Sequence, residues 1–338
     1  MNRPSSIAQF SKICAREFLP EFYRPGFVLL RHTIFPAALY HVPVLLDDCV
    51  EGLAIKPDGV YVDVTFGGGG HSSAILEQLT TGKLFAFDQD ADAAANAAAV
   101  THPGFRLIKA NFRHVRRYLK LHGVQQIDGL LADLGISSHQ IDAGHRGFST
   151  RFAADLDMRM DQAAELTAQR ILNTYPEDQL HRIFGMYGEV KNARTLAAAV
   201  TKARFSAPIQ TTDDLKAVLQ KLAPRGKEFK YFAQVFQALR IEVNQELSAL
   251  EELLLQTAEL IKPGGRLVVM SYHSLEDRLV KNYIRNGKLS GEAEKDIFGN
   301  TNVPFRAVAK KAVEPDAGEI ARNPRARSAK LRIAERIA

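Results

Sequence analysis

Four residues that could do chemistry each stand at the end of a short apolar run: Asp63, Asp88, Phe112 and Asp133. If these runs are neighbouring parallel strands, their carboxyl ends meet at one edge of a sheet, where ligands of open α/β sheets bind. Carboxylates accept hydrogen bonds from hydroxyl and amino groups, and an aromatic ring can stack on a base. The pattern therefore predicts a site for a nucleoside-like ligand, although spacing alone favours a core position for Phe112.

A glycine loop follows the first of these strands. The alternating run Val60–Val64 leads into Gly67–Gly70 and then into apolar residues at helical spacing. Asp88 closes the next strand, at the distance where an acidic side chain meets a ribose in βαβ units. A dinucleotide fingerprint requires a third glycine where Ser72 stands, so S-adenosylmethionine fits the loop better. Without a ligand, the glycines would be a plain connector and Asp88 a helix N-cap.

The composition is that of a globular protein with one large or two smaller domains. The 338 residues are 46% hydrophobic and 24% charged, which is enough to bury a sizeable core. A net charge of +6 permits a polyanionic partner. Two cysteines provide neither a disulfide framework nor a metal quartet, so we expect a cytoplasmic protein without a metal. No apolar stretch suits a membrane helix, and residues 1–40 form an N-terminal extension of unknown role.

The alternation of strands and helices breaks after the fourth strand. Residues 141–230 show successive helical patterns with mixed charges, which predicts an inserted helical domain. A long amphipathic helix over Phe229–Ile261 and a strand over Arg266–Tyr272 then resume the alternation. We therefore assign residues 41–140 and 231–338 to one α/β domain that the insertion interrupts.

Basic groups concentrate towards the C-terminus. His273 follows the last of these strands, where it could be a base or a substrate contact, although a histidine at a helix start is more often a cap. From Val303 to the end there are nine basic and four acidic residues. Arg322, Arg325 and Arg327 suit phosphate contacts, while an ordinary solvated loop explains them nearly as well.

Seven short motifs occur in order between His41 and the C-terminus: Asp63–Ser72, Asp133–Gln140, Gly147–Ser149, Leu156–Asp161, Phe236–Arg240, Ser271–Arg278 and Asn323–Ser328. Together they resemble the RsmH family, also called MraW, of bacterial 16S rRNA methyltransferases, which methylate N4 of a decoding-centre cytosine. The resemblance implies a class I S-adenosylmethionine-dependent methyltransferase. Its fold is α/β and Rossmann-like, with a mostly parallel seven-stranded sheet and an all-helical substrate-recognition domain inserted after strand 4.

The resemblance also implies the ligands. The cofactor is S-adenosylmethionine, the partner is 16S rRNA in the small ribosomal subunit, and the target is cytosine 1402. The implied cofactor contacts are Gly69, Gly70, His71, Asp88, Phe112, Asp133 and Gln140. Val64 departs from the usual glycine and His139 from the usual proline, so we expect small changes in the loop and in the approach to Gln140. A homodimer is compatible with this sequence.

Asp133 and its neighbours are the predicted catalytic groups. The lone pair of the cytosine amine is delocalised into the ring, so an acceptor that holds one N–H would make the nitrogen a better nucleophile. We expect Asp133, or the hydroxyls of Ser137 and Ser138, to accept from the amine, with His273 across the cleft. In an alternative interpretation, Asp133 serves only the cofactor.

Three other functions stay open at this point. A nucleotide-dependent oxidoreductase would use the same fold, although Ser72 argues against it. A catalytically silent RNA-binding assembly factor could retain the scaffold without the activity. A methyltransferase with the same cofactor could act on another RNA, a protein or a small molecule, although the basic tail favours RNA.

Overall fold

The structure is a computed structural model that describes residues 43–294, 301 and 303–337. The predicted extension over residues 1–40 lies outside the described residues. Within them, seven strands form one sheet in the order β3-β2-β1-β4-β5-β7-β6. The strands are β1 (Val60–Asp63), β2 (Lys83–Asp88), β3 (Phe105–Lys109), β4 (Ile127–Asp133), β5 (Ile261–Ser271), β6 (Phe305–Ala307) and β7 (Lys330–Arg336).

Strands β1 to β5 are parallel, and β7 runs antiparallel to both of its neighbours, β5 and β6. This arrangement confirms the predicted mostly parallel seven-stranded sheet of a class I methyltransferase fold. Asp63, Asp88 and Asp133 are the last residues of β1, β2 and β4. Because these strands are parallel neighbours, the three carboxylates meet at one edge of the sheet, as the sequence predicts.

Thirteen helices are described within the same ranges, and none of them is long and apolar enough to cross a membrane. They are α1 (Leu46–Leu53), α2 (Gly70–Leu76), α3 (Ala93–Ala97), α4 (Val115–Leu121), α5 (Ser138–Asp142), α6 (Ala168–Thr174), α7 (Glu177–Met186), α8 (Ala193–Ser206), α9 (Thr212–Gln220), α10 (Glu228–Asn244), α11 (Glu246–Leu260), α12 (Ser274–Asn286) and α13 (Ala317–Arg322). Short 3₁₀ turns cover Phe112–His114, Gly144–Arg146 and Pro324–Ser328.

Helices cover both faces of the sheet because alternate strand residues point to opposite sides. Leu130 and Ala132 of β4 share a core with residues of α4, α11 and α12. Leu131, between them, belongs to a second core with residues of α1 and α2. Burial on both faces explains why β4 reads as a nearly continuous apolar run rather than an alternating one.

Helices α6 to α10, between β4 and β5, have a core of their own, whose buried apolar residues run from Phe148 to Val243. An all-helical insertion after strand 4 is therefore confirmed. This core includes Tyr231, Val235 and Leu239 of α10. Because α10 packs with the insertion, we propose that the inserted domain extends beyond the predicted residue 230 to the end of α10.

The predicted continuous helix over Phe229–Ile261 is wrong. Gln245 separates α10 from α11 and adopts a left-handed conformation with φ 51°. The following strand also begins earlier than predicted, at Ile261 instead of Arg266, and its pairing with β4 shifts register near Gly129. The Pro-Gly-Gly sequence therefore lies within β5 as an irregularity, where a turn was expected.

Two leucines of α11 test which face of that helix is buried. Leu253 is fully buried against the sheet, whereas Leu255 is 56% exposed. We expect Leu253→Ala to lower the free energy of unfolding by about 2 to 5 kcal/mol, because it leaves a cavity in the core. Leu255→Ala is the matched control and should cost less than about 1 kcal/mol. Urea unfolding measures both, and equal costs would contradict this packing.

Candidate active site

A cleft lies at the carboxyl edge of the sheet, between the strand ends and the first turns of α11 and α12. Its lining crosses from β3 to β5 and includes a contribution from the helical insertion. The lining residues are Thr65, Gln89, Asn111, Phe112, Leu134, Gly135, Met160, Asn244, Glu246, Ala249, Leu250 and Glu276. Phe112 is thus in the cleft wall, as expected for an aromatic residue that can stack on a base.

The glycine loop adopts the backbone that its sequence predicts. Gly69 precedes α2 with φ 79°, a left-handed conformation that residues with a side chain rarely adopt. Gly70 is required for a different reason, because a Cβ there would lie 2.2 Å from Cγ of Pro43. Asp63 supports the loop from below: it is fully buried and accepts hydrogen bonds from Ser72 Oγ (2.7 Å) and from the backbone N–H of Thr65 (3.0 Å).

Asp88 ties the end of β2 to the glycine loop. Its Oδ2 accepts from the Gly67 N–H and its Oδ1 from the Asp90 N–H, both at 2.8 Å. Burial raises the pKa of Asp88 to about 6, although these hydrogen bonds oppose the shift. The N-cap of α3 is Asp92, so Asp88 is not a helix cap. Each Asp88 oxygen keeps a second lone pair with which it could accept from a ribose hydroxyl.

Asp133 is held from two sides. Its Oδ1 accepts from the hydroxyl of Tyr272 at 2.8 Å, and its Oδ2 lies 3.7 Å from Nδ1 of His71. Its backbone N–H donates to Thr65 Oγ1 at 2.7 Å. Burial raises the pKa of Asp133 to about 6, while His71 and Tyr272 favour the ionised form. The Asp133 side chain is 24% exposed, so a ligand can still reach this oriented carboxylate.

His71 faces the protein interior. It is 6% exposed, and its Nε2 lies 3.2 Å from the carbonyl oxygen of Val44. The cofactor contact of His71 stays a prediction, and in the structure its other nitrogen lies 3.7 Å from Asp133 Oδ2. Tyr272 was not predicted as a site residue. Its position directly after β5 was the available signal, because side chains at strand ends converge on this edge.

The turn after β4 is closed by a capping box. Ser137 Oγ accepts from the Gln140 N–H at 3.2 Å, and Gln140 Oε1 accepts from the Ser137 N–H at 3.0 Å. Gln140 is buried and donates through Nε2 to Asp90 at 2.7 Å. Ser138 is half-buried in the first turn of α5. These bonds fix the segment that carries the predicted serines, and Gln140 meets Asp90, two residues beyond Asp88.

Arg146 connects this edge of the sheet to the insertion, a role that no sequence pattern predicted. The guanidinium is 5% exposed and donates to Asp90 Oδ2 at 2.5 Å and to the Arg159 carbonyl at 2.7 Å. Nearby, Gln89 Nε2 donates a hydrogen bond to the sulfur of Met160 at 3.3 Å. The motif over Leu156–Asp161 thereby becomes part of the cleft wall.

A buried charged cluster forms the far end of the cleft. Arg240 donates to both carboxylate oxygens of Glu246 at 2.8 Å. Glu276, which is 2% exposed, accepts from the Tyr272 N–H at 2.9 Å, and its other oxygen lies 3.2 Å from Nε2 of His273. The Glu246 and Glu276 carboxylates, which also line the cleft, were not predicted as site residues.

His273 occupies the N-cap position of α12, where its Nδ1 accepts from the Glu276 N–H at 3.4 Å. Glu246, His273 and Glu276 each bring one possible metal-ligand atom within 4.8 Å of the others, and this group is empty. Because Nδ1 accepts a hydrogen bond, the neutral imidazole carries its proton on Nε2, which disfavours metal binding through that atom. His273 therefore contributes to the site by fixing Glu276.

The three predicted arginines differ in their surroundings. Arg325 is half-buried and donates to Asp142 Oδ1 at 2.7 Å, whereas Arg322 and Arg327 are exposed.

Of the two departures from the family pattern, Val64 is buried in the sheet core, and His139 lies 3.2 Å from Asp92 in an exposed pair. Neither Val64 nor His139 lines the cleft.

Comparison with known proteins identifies the family. The family model described as the MraW methylase family matches residues 38–337. The chain belongs to the MraW methylase family. Curated relatives named ribosomal RNA small subunit methyltransferase H include one from Cytophaga hutchinsonii, 63% identical over 88% of this chain and 100% of its own. Another, from Flavobacterium johnsoniae, is 58% identical over 88% and 98%. Solved structures are more distant: a rRNA methylase from Streptococcus thermophilus covers 87% of this chain and 94% of its own, with a TM-score of 0.37 and 14% identity.

The cofactor of a MraW methylase is S-adenosylmethionine, and the cleft suits its chemistry. Asp88 retains acceptor capacity for the ribose hydroxyls, and Phe112 offers an apolar ring for the adenine. Glu276 brings negative charge to the cleft wall, which complements a ligand carrying a sulfonium and an ammonium group, whereas the charge of Glu246 is paired with Arg240.

The pH dependence of cofactor binding follows from Asp88. Protonation near its pKa of about 6 removes the charge that makes it a strong acceptor, so affinity should fall as the pH drops through that range. At pH 8 we expect Asp88→Asn to weaken cofactor binding about tenfold to a hundredfold. Isothermal titration calorimetry measures both, with Asp58→Asn in an exposed turn as the control. An unchanged dissociation constant for Asp88→Asn would exclude the predicted ribose contact.

Proposed function

We propose that this protein transfers the methyl group of S-adenosylmethionine to N4 of a cytosine in 16S rRNA, at position 1402 in the decoding centre of the small ribosomal subunit. The observation that carries the proposal is the carboxylate of Asp133, oriented by Tyr272 at the end of β4, beside the cleft. The names of the curated relatives support a small-subunit rRNA as substrate. Ribosomes are cytoplasmic in bacteria, so we propose the same location for this protein.

Asp133 is the acceptor in this mechanism. S-adenosylmethionine supplies a methyl group on a positively charged sulfur. The ionised carboxylate of Asp133 accepts one N–H of the cytosine amine and directs the nitrogen lone pair out of the ring plane. A positioned hydrogen bond of this kind contributes about 3 kcal/mol to a transition state. The extra proton of the methylated nitrogen then passes to the carboxylate of Asp133 and from there to water.

The neighbouring polar groups have supporting roles in the proposal. Ser137 and Ser138 begin α5 directly beyond Asp133, where their hydroxyls can contact the ring or its ribose. His273 acts from the opposite side by fixing Glu276 through the N-cap of α12. Glu276 then contributes a carboxylate to the wall that the target base approaches.

The inserted domain supplies the substrate side of the site. A base must leave its stack to reach a methyl group held at the edge of a sheet, which favours a flipped or splayed nucleotide. Met160 and Asn244 line the cleft from the insertion, and the Met160 N–H donates to Asn244 Oδ1 at 2.7 Å. This hydrogen bond fixes the wall that the target base approaches.

The proposal is tested by methyl transfer from labelled S-adenosylmethionine to small ribosomal subunits that lack the modification, with free 16S rRNA and tRNA in parallel. Mass-spectrometric mapping should find N4-methylcytosine at one decoding-centre position. Methylation of a different RNA would overturn the target. Transfer to protein or to small molecules, or cofactor binding without any transfer, would overturn the proposed reaction in favour of the corresponding alternative.

Arg322 and Arg327 are proposed phosphate contacts because both are exposed, Arg322 directly before the Asn323–Ser328 motif and Arg327 within it. We expect the double substitution to alanine to weaken binding to the subunit and to reduce the slope of log affinity against log salt by roughly 1 to 2 units. Arg117→Ala, an exposed arginine on α4, is the matched control. A salt slope equal to that of the wild type would exclude both contacts.

A further inference from the structure

Tyr272 contacts two acidic residues of the site, Asp133 and Glu276. Its hydroxyl donates to Asp133 Oδ1 at 2.8 Å, and its backbone N–H donates to Glu276 Oε2 at 2.9 Å. It stands between the last residue of β5 and the N-cap of α12, so the strand and the helix fix its backbone from both sides. A side chain held in this way can impose an orientation on the carboxylate that it contacts.

The ring of Tyr272 is packed as well. Gly135 adopts φ +95°, and a Cβ built there would lie 3.6 Å from Cδ2 of Tyr272. The ring therefore lies alongside the turn that follows Asp133, and a phenylalanine can occupy the same volume. Replacing only the hydroxyl isolates its hydrogen bond from this packing.

We propose that Tyr272 is a positioning residue whose hydroxyl holds Oδ1 of Asp133 and keeps the carboxylate ionised, so that it can accept from the target amine. This inference rests on the proposed function of Asp133 as the acceptor. It assigns a specific task to the tyrosine of the Ser271–Arg278 motif.

Several ionisable groups surround Asp133, and their effects oppose one another. His71 of α2 and the hydroxyl of Tyr272 favour the ionised carboxylate, whereas Asp63 of β1 and Glu276 of α12 oppose it. Cys49 of α1 also faces this carboxylate, which contributes to the raised pKa of the buried thiol. Loss of the Tyr272 hydroxyl leaves His71 to offset burial and the two other acids. The pKa of Asp133 then rises above its value of about 6.

The test is the pH profile of single-turnover methyl transfer to unmodified subunits at saturating cofactor, for the wild type and Tyr272→Phe. Tyr175→Phe is the matched control because the Tyr175 hydroxyl also donates to a carboxylate, that of Glu242, at 3.0 Å within the insertion. If the pKa of Asp133 rises by about one unit, Tyr272→Phe should be about fivefold slower at pH 6 and within about twofold of the wild type at pH 8.5. The profile of Tyr175→Phe should match that of the wild type.

A merely structural tyrosine would give a different result. A loss of rate that is equal at all pH values, or a profile identical to the wild type, would overturn the inference. Carbon-13 NMR of the Asp133 carboxyl group, assigned with Asp133→Asn, provides a readout that needs no substrate. An unchanged pKa in Tyr272→Phe overturns the role of Tyr272 even if the enzyme methylates the expected cytosine. Absence of N4-methylcytosine with wild-type protein overturns the proposed function instead.

Discussion

The site depends on keeping a carboxylate ionised after most of its water has been removed. Asp133 sits at the end of a strand that is buried on both faces, and burial alone would favour its protonated form. The hydroxyl of Tyr272 and the imidazole of His71 offset that cost from opposite sides. These two residues come from α2 and from the end of β5, so the sheet, the glycine loop and α12 must all be formed before Asp133 has its environment.

The site also depends on the attachment of the inserted domain to the carboxyl edge of the sheet. Arg146 is buried and neutralises Asp90, which also accepts from Gln140. Separating Arg146 from Asp90 would leave a buried charge without its partner, at a cost of several kcal/mol. The pair therefore favours the state in which the insertion is packed against the sheet edge. Asp90 in turn donates its N–H to Asp88. The group proposed to hold the ribose and the domain proposed to present the RNA are thus linked by adjacent hydrogen bonds.

The sequence predicted the parts of this arrangement that depend on local pattern. Asp63, Asp88 and Asp133 were recognised because each closes an apolar run, and parallel strands bring such ends together. The break at Gln245 could not be predicted, because neither glycine nor proline marks it. Its left-handed conformation accompanies a hydrogen bond from Arg113 to the Gln245 side chain. Pairings such as Tyr272 with Asp133, 139 residues apart, depend on the folded sheet and have no local signature.

The most direct measurement is a cryo-electron microscopy structure of the protein on an unmodified small subunit with a non-reactive analogue of S-adenosylmethionine. The account predicts that the target cytosine is flipped into the cleft. Its N4 should lie within hydrogen-bond distance of the Asp133 carboxylate, with the hydroxyl of Tyr272 still on the other oxygen. A target base that is bound against another wall of the cleft, with Asp133 facing only the cofactor, would contradict the account.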